Sequence, residues 1–270
     1  MPSAPAPATV RPVSTPTVPL GTLLRDWRRR RRLSQLDLAL EAGVSARHLS
    51  FLETGRAKPS RQMVLHLSEQ LDVPLRDRNR LLLAAGYAPA FEERPIDAPE
   101  MAPVRDALER ILTGHEPYPA VVVDRWWNLA AANRAIAMFT AAVPEHLMQP
   151  PVNVLRVSLH PEGMASRILN YGEWRAHVLD RLRRQVALTA DERLAALYEE
   201  LGGYPGETAE IHGPGGEIAV PLRFDAGGRE LAFFSTIATF GTAVDITLAE
   251  LAIEAFFPAD ETTSAYLRGN

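Results

Sequence analysis

The chain has 270 residues, 46% of them hydrophobic, which is enough apolar material for two cores rather than one. Its formal charge of -4 is unevenly divided: residues 1–88 hold 14 Arg/Lys against 7 Asp/Glu, and residues 89–270 hold 15 against 26. A basic head on an acidic body directs only the head to a polyanion, and the lack of cysteine excludes disulfide scaffolds, thiolate metal sites and cysteine nucleophiles.

Residues 1–19 carry six prolines and almost no large apolar side chains, which predicts a disordered tail. From Leu20 the pattern turns helical, with Leu23, Leu24 and Trp27 at helical spacing ahead of five consecutive arginines, Arg28 to Arg32. Ser34 with Asp37 three residues on fits a capping box and predicts a second helix over about 35–42; Gly43 falls where a left-handed residue is needed. Ser45 predicts a third helix to about Thr54. Ser60 caps a fourth, with Met63, Val64, Leu67 and Leu71 on one face, and a fifth follows over 76–85, closed by Gly86.

Residues 89–102, rich in proline and of mixed charge, read as a linker or as the entry to the second domain. Helix returns over about 103–113. The stretch YPAVVVDRWWNLAAANRAIAMF then predicts a strand to Val123, a turn at Asp124-Arg125, a short strand through Leu129 and a helix. Residues 153–201 read as mostly helical, with breaks at Gly163 and Gly172. Gly213-Pro214-Gly215-Gly216 and Ala226-Gly227-Gly228 punctuate three strand-like runs, and residues 248–257 set Leu251, Ile253, Ala255 and Phe257 against Glu250 and Glu254. The order predicts an all-α five-helix domain over 20–88 and an α+β domain over 103–270, the latter with a five-stranded antiparallel sheet and helices on one side.

Two helices joined by a short turn can place the second in a DNA major groove, although a helical hairpin of an ordinary core has the same spacing. Here Gln35 opens the second helix, and Arg56 and Lys58 follow the third, so donors bracket the pair where phosphates are contacted. Ser45, Ala46, Arg47 and His48, with Ser50 and Phe51 one turn later, can face outward while Val44, Leu49 and Leu52 face the core. The residues Ser34-Gln35, Leu38-Ala39, Gly43-Val44-Ser45, Ser50, Leu52-Glu53, Gly55 and Pro59 resemble the helix-turn-helix domain of the phage-repressor-like XRE family, whose fold is lambda-repressor-like. The resemblance implies that Gln35 touches the DNA backbone, that Ala46, Arg47, Ser50 and Phe51 approach base edges, and that Arg28 pairs with Glu53. Arg47 can then grip guanine O6 and N7 bidentately. Arg29 to Arg32 cannot all face one way on a helix, so they divide between phosphate and solvent.

From residue 89 onward no catalytic constellation appears. His160, His177 and His212 lack metal-ligand spacing, and Gly213 to Gly216 lacks the Lys-Ser/Thr of a phosphate loop. The expectation is no enzyme activity, no metal and no cofactor. Aromatic density around Trp126, Trp127, Phe139, Phe233, Phe234 and Phe256 reads either as plain core or as a cavity wall. Residues 118–133, NVLRVSLHPEG (153–163) and AFFSTIATFGTAVDITLAELAIEAFFPADETT (232–263) resemble the MmyB-like ligand-binding domain. That resemblance implies a PAS-like fold holding a fatty-acid-like small molecule. Trp127, Phe139, Leu155 and Phe234 are then the candidate apolar contacts, and His160, Arg223 and Thr239 the candidates to meet a carboxylate head group.

No run of 18 or more apolar residues exists, and no basic start leads into an apolar block, so the expected protein is cytoplasmic, with no membrane contact. Its expected role is that of a sequence-specific transcriptional regulator, a homodimer on double-stranded DNA. An enzyme with a DNA-tethering head and an antitoxin-like interaction module are the alternatives.

Overall fold

The computed structural model describes residues 18–207 and 220–269. The expected tail therefore lies almost wholly outside the described residues, as do His212 and the glycine-rich turn at 213–216. Two compact units divide between Ala90 and Phe91.

The first unit is helical throughout: α1 (Leu20–Arg30), α2 (Gln35–Glu41), α3 (Ala46–Glu53), α4 (Arg61–Gln70) and α5 (Leu75–Ala84). The three predicted serine caps are present. The hydroxyls of Ser34, Ser45 and Ser60 accept the backbone N–H of Asp37, His48 and Met63, and Asp37 closes the capping box by accepting from the Ser34 backbone. Each such cap contributes about 1 kcal/mol. Gly43, at φ +62°, makes the left-handed turn between α2 and α3. Leu24, Trp27, Leu38, Leu49, Leu52, Leu67 and Leu82 form one buried core. Helix α1 approaches the end of α3 so closely at Gly21 that a Cβ there would lie 2.4 Å from the Glu53 carbonyl oxygen.

The second unit runs α6 (Ala102–His115), β1 (Ala120–Val123), β2 (Leu129–Ala132), α7 (Ala137–Thr140), α8 (Val154–Leu159), α9 (Tyr171–Thr189), α10 (Glu192–Gly202), β3 (Leu222–Asp225), β4 (Glu230–Thr239), α11 (Ile246–Ala249), β5 (Ala252–Pro258) and α12 (Glu261–Arg268). The strands form a five-stranded sheet in the order β2-β1-β5-β4-β3. Every neighbouring pair is antiparallel, with Val122 opposite Ile253, Ile237 opposite Glu254 and Leu222 opposite Phe233.

Three expectations are corrected. Helices cover both faces of the sheet, not one. Val121, Val123, Phe224, Phe233 and Phe256 pack toward α8, α9 and α10, while Ala120, Val122 and Ile253 pack on the other side against Leu108 and Leu112 of α6. The uninterrupted apolar run of β1 is the sign of a strand buried on both faces. Second, of the two readings of 89–102 it is the entry to the second unit that holds from Phe91 on, not a linker: Ile96 packs against the α6 core, Arg94 pairs with Asp245 at 3.0 Å, and the Ile246 N–H donates to the Glu92 carbonyl. Third, the Trp126-Trp127 stretch is a turn, not a strand. The Asp124 carboxylate accepts the N–H groups of Trp126 and Asn128, and Trp127 adopts φ +67°.

Candidate functional site

In the first unit α3 is anchored by Leu49 and Leu52, both buried, and its opposite face carries the predicted reading residues. Ser45 and Arg47 are exposed; Ala46, His48, Ser50 and Phe51 are half-buried. The Arg47 guanidinium lies 5.3 Å from the centre of the Phe51 ring, so two of the four expected base-contacting side chains lie against each other. Arg56 and Lys58 follow the helix and are exposed, with the Lys58 ammonium 5.9 Å from the Tyr87 ring.

The position of α3 is fixed by its last residue. Glu53 is buried and receives Arg28 in bidentate fashion, at 2.6 Å from Nε to Oε1 and 2.9 Å from Nη2 to Oε2. Arg25 approaches the same carboxylate at 3.6 Å and donates to the Glu53 carbonyl. Burial alone would raise the Glu53 pKa, but hydrogen bonds from Arg28 and Gln35 and the charges of Arg28 and Arg25 outweigh it and hold the carboxyl below its ordinary range. Gln35 also has an internal partner: its Nε2 donates to Glu53 Oε2 at 2.8 Å, which leaves one N–H of that amide for a phosphate.

The arginine run splits by task. Arg28 is internal, Arg31 donates to the carbonyls of Leu71 and Asp72 at the end of α4, and Arg30 lies 4.7 Å from the Trp27 ring. Arg29 and Arg32 are exposed.

In the second unit a cavity of ≈ 90 Å³ lies between the sheet and the helices that follow β2. Val121, Leu129, Leu222 and Phe256 form its floor; Phe139, Leu155, Val157, Met164, Trp174 and Val178 form its roof. Phe139 is central, meeting Phe224, Phe233 and Phe256 edge to face at 5.0 to 5.3 Å. Against this apolar lining stand Arg181 of α9 and Glu254 of β5, paired at 2.9 Å, with side chains 15% and 5% exposed. The Arg181 guanidinium also covers the Trp127 ring at 4.3 Å. Trp174, whose indole N–H donates to the Ser158 hydroxyl, stacks on His177. Burial, with the nearby Arg181 charge, lowers the His177 pKa from its ordinary value.

Of the expected ligand contacts, Phe139 and Leu155 line the cavity and the other five do not. Trp127 is buried behind Arg181 and donates its indole N–H to Gln185. His160 turns toward Tyr204 and accepts the Glu162 N–H. Arg223 is exposed and paired with Glu230. Phe234 points to the face opposite Phe233, where it stacks on Phe257, and Thr239 is exposed at the end of β4. The alternation of β4 explains Phe234, because neighbouring side chains of a strand face opposite ways. Sequence reasoning missed Arg181 and Glu254. A glutamate between Ile253 and Ala255 reads as a solvent-facing position, and it becomes conspicuous only once β5 is known to be central and covered on both faces.

The family description "MmyB-like transcription regulator ligand binding domain" matches residues 104–269, and "Helix-turn-helix" matches residues 24–77. The chain is 32% identical over 115 residues to a protein of Bacillus subtilis (strain 168), the "Uncharacterized HTH-type transcriptional regulator RghRB", covering 42% of this chain and 81% of that one. Helix-turn-helix head and ligand-binding body thus coincide with the two compact units. The chain belongs to the XRE-type helix-turn-helix transcriptional regulators with an MmyB-like ligand-binding domain.

Proposed function

We propose that this DNA-binding regulator works as a cytoplasmic homodimer, reads a two-fold operator with α3, and responds to a small apolar, fatty-acid-like molecule held in the cavity of a PAS-like second domain. The observation that carries the reading is the cavity itself: an apolar chamber lined by aromatic and aliphatic side chains, with one ion pair at its wall. The antiparallel sheet with helices over that chamber supports the PAS-like assignment. Among the described residues, no helix is long and apolar enough to cross a membrane.

A dimer places two reading helices on half-sites about 34 Å apart, matching a palindromic operator. The ligand acts by binding one arrangement of the dimer better than another. At ≈ 90 Å³ the cavity is smaller than the roughly 150 Å³ engineered cavity that admits benzene. A guest of benzene's size or larger, and any long acyl chain, therefore requires the lining to move outward. The domain is read as a sensor rather than an enzyme because the charged groups of the chamber are spent on each other.

Native mass spectrometry of the full chain, purified from its own host, tests both halves. The expected spectrum is a dimer carrying a retained small hydrophobic mass that is lost on denaturation. A ligand-free monomer that nonetheless binds its operator fully, or turnover of an acyl substrate by the purified chain, overturns the reading.

A further inference from the structure

Helix α6 covers only part of the sheet face on which it lies. Its Leu108 and Leu112 pack on Ala120 and Val122 of β1 and on Ile253 of β5. On the next strand, β4, the pairing sets Ala238 opposite Ile253, Thr236 opposite Ala255 and Phe234 opposite Phe257, so those residues share the α6 face. All three β4 residues are exposed there, and Phe234 remains 40% exposed although its ring stacks on Phe257. The face is therefore stepped, raised by a helix over β1 and β5 and bare over β4.

The wall of the step is apolar too. Arg105, Glu109 and Thr113 of α6 border the groove beside β2, on the far side of the helix. With Leu108 and Leu112 turned to the sheet, Val104, Ala107, Ile111 and Gly114, three or four residues apart, form the flank toward β4. The neighbouring His115 ring meets Phe257 on that side at 4.7 Å. Ile111 is 44% exposed, and the flank carries no charge. That last point selects the partner. A two-fold axis sets the residues beside it against their own copies, where any charge would face its like; the Ile111 flank tolerates this and the flank with Arg105 and Glu109 does not.

We infer that the step is the contact between two copies of the chain: α6 of each lies over β4 of the other, and the two α6 helices touch along their Ile111 flanks. The inference rests on the homodimer reading and names its surface. The lengths agree, because the 14 residues of α6 span about 21 Å and Phe234–Thr239 about 20 Å. Asp106 and Arg110, on the outward side of α6, are of opposite sign and one turn apart, so each can neutralise the other against the facing sheet. Two such sheet contacts and the helix pair bury on the order of 1,000 Å², the low end for a specific interface. Dilution therefore separates the copies.

The chain has no native cysteine, so one introduced thiol reports on one place. In the full chain at dimeric concentration, Ile111→Cys is expected to be joined to its own copy by a short bis-maleimide about tenfold faster than Glu109→Cys, on the other flank of the same helix. Thr236→Cys is expected to react with a fluorescent maleimide about tenfold more slowly in the dimer than in the diluted monomer. Ile111→Glu, a change at an exposed position, should raise the dimer dissociation constant by about tenfold in sedimentation velocity, with an unchanged circular dichroism spectrum. Equal cross-linking of the two cysteine variants in a dimer overturns the inference and leaves the homodimer standing. A Thr236→Cys thiol equally reactive in dimer and monomer leaves the face to another partner, and one protected even in the monomer shows that the chain's own residues cover it; either result also overturns the inference. A chain that is monomeric at every concentration, alone and on its operator, removes the homodimer reading and the inference together.

Discussion

Replacing Arg47 by alanine isolates base reading from general attraction to DNA. Arg47 is exposed on the first turn of α3, and its guanidinium is braced 5.3 Å from the Phe51 ring. A bidentate arginine–guanine pair supplies about 1–3 kcal/mol of discrimination, which is roughly 5- to 150-fold in affinity. The stack on Phe51 adds about 0.5–1 kcal/mol at such an exposed place, so Phe51→Leu, which keeps an apolar side chain, is expected to lose roughly 2- to 5-fold. The assay is fluorescence anisotropy on a selected operator and on a random duplex of the same length, across a range of salt concentrations. Arg47→Ala should weaken operator binding by that factor and leave the random duplex nearly unaffected. Lys58→Ala should weaken both alike and reduce the magnitude of the salt slope by about 1. An equal loss on both duplexes for Arg47→Ala refutes the base-reading role.

Glu53→Gln leaves Arg28 buried without its counter-charge and is expected to cost about 3–5 kcal/mol, read from chemical denaturation of the full chain. Because the Glu53 carboxyl is held below its ordinary range in the fold, the unfolded chain binds more protons on acidification. Its contribution is thus complete above the unfolded carboxyl pKa and is lost as pH falls through the lower folded value. Glu53→Gln should flatten that part of the acid profile, and an unchanged profile counts against the pair. Gly21→Ala drives a Cβ into the Glu53 carbonyl and should cost about 1–3 kcal/mol, visible as a lower Tm; a neutral effect would show that α1 can retreat from α3. Phe139→Ala removes the ring at the centre of the aromatic cluster and should cost about 3–5 kcal/mol in thermal unfolding, with a small loss excluding it as the keystone of the cavity wall.

The head was legible because its signals are local. Serine caps, a glycine at φ +62° and apolar spacing are each written within a few residues of the helix they define, so five helices follow directly. Gln35 was only half legible, since its partner Glu53 sits 18 residues away on another helix. The body followed the sequence as far as strand number, but the coverage of the sheet did not, because nothing in the AVVV run says which helix lies on which face. The cavity lining was the least legible part. Phe139 and Leu155 were found as large apolar groups near the sheet, yet Phe234 depends on a one-residue register, and Arg181–Glu254 joins positions 73 residues apart. Such a pair has no local signature. Its only trace is an acid in the middle of an apolar strand.

The placement of Glu254 sets which wall of the chamber can yield. It belongs to the middle strand of five, hydrogen-bonded to β1 on one flank and β4 on the other, so shifting it means breaking two ladders at once. Its partner Arg181 rides on a single long helix that closes the chamber from above. Under the proposed role, a guest too large for the chamber is expected to displace α9, Tyr171–Thr189, which packs against α10, before it displaces β5.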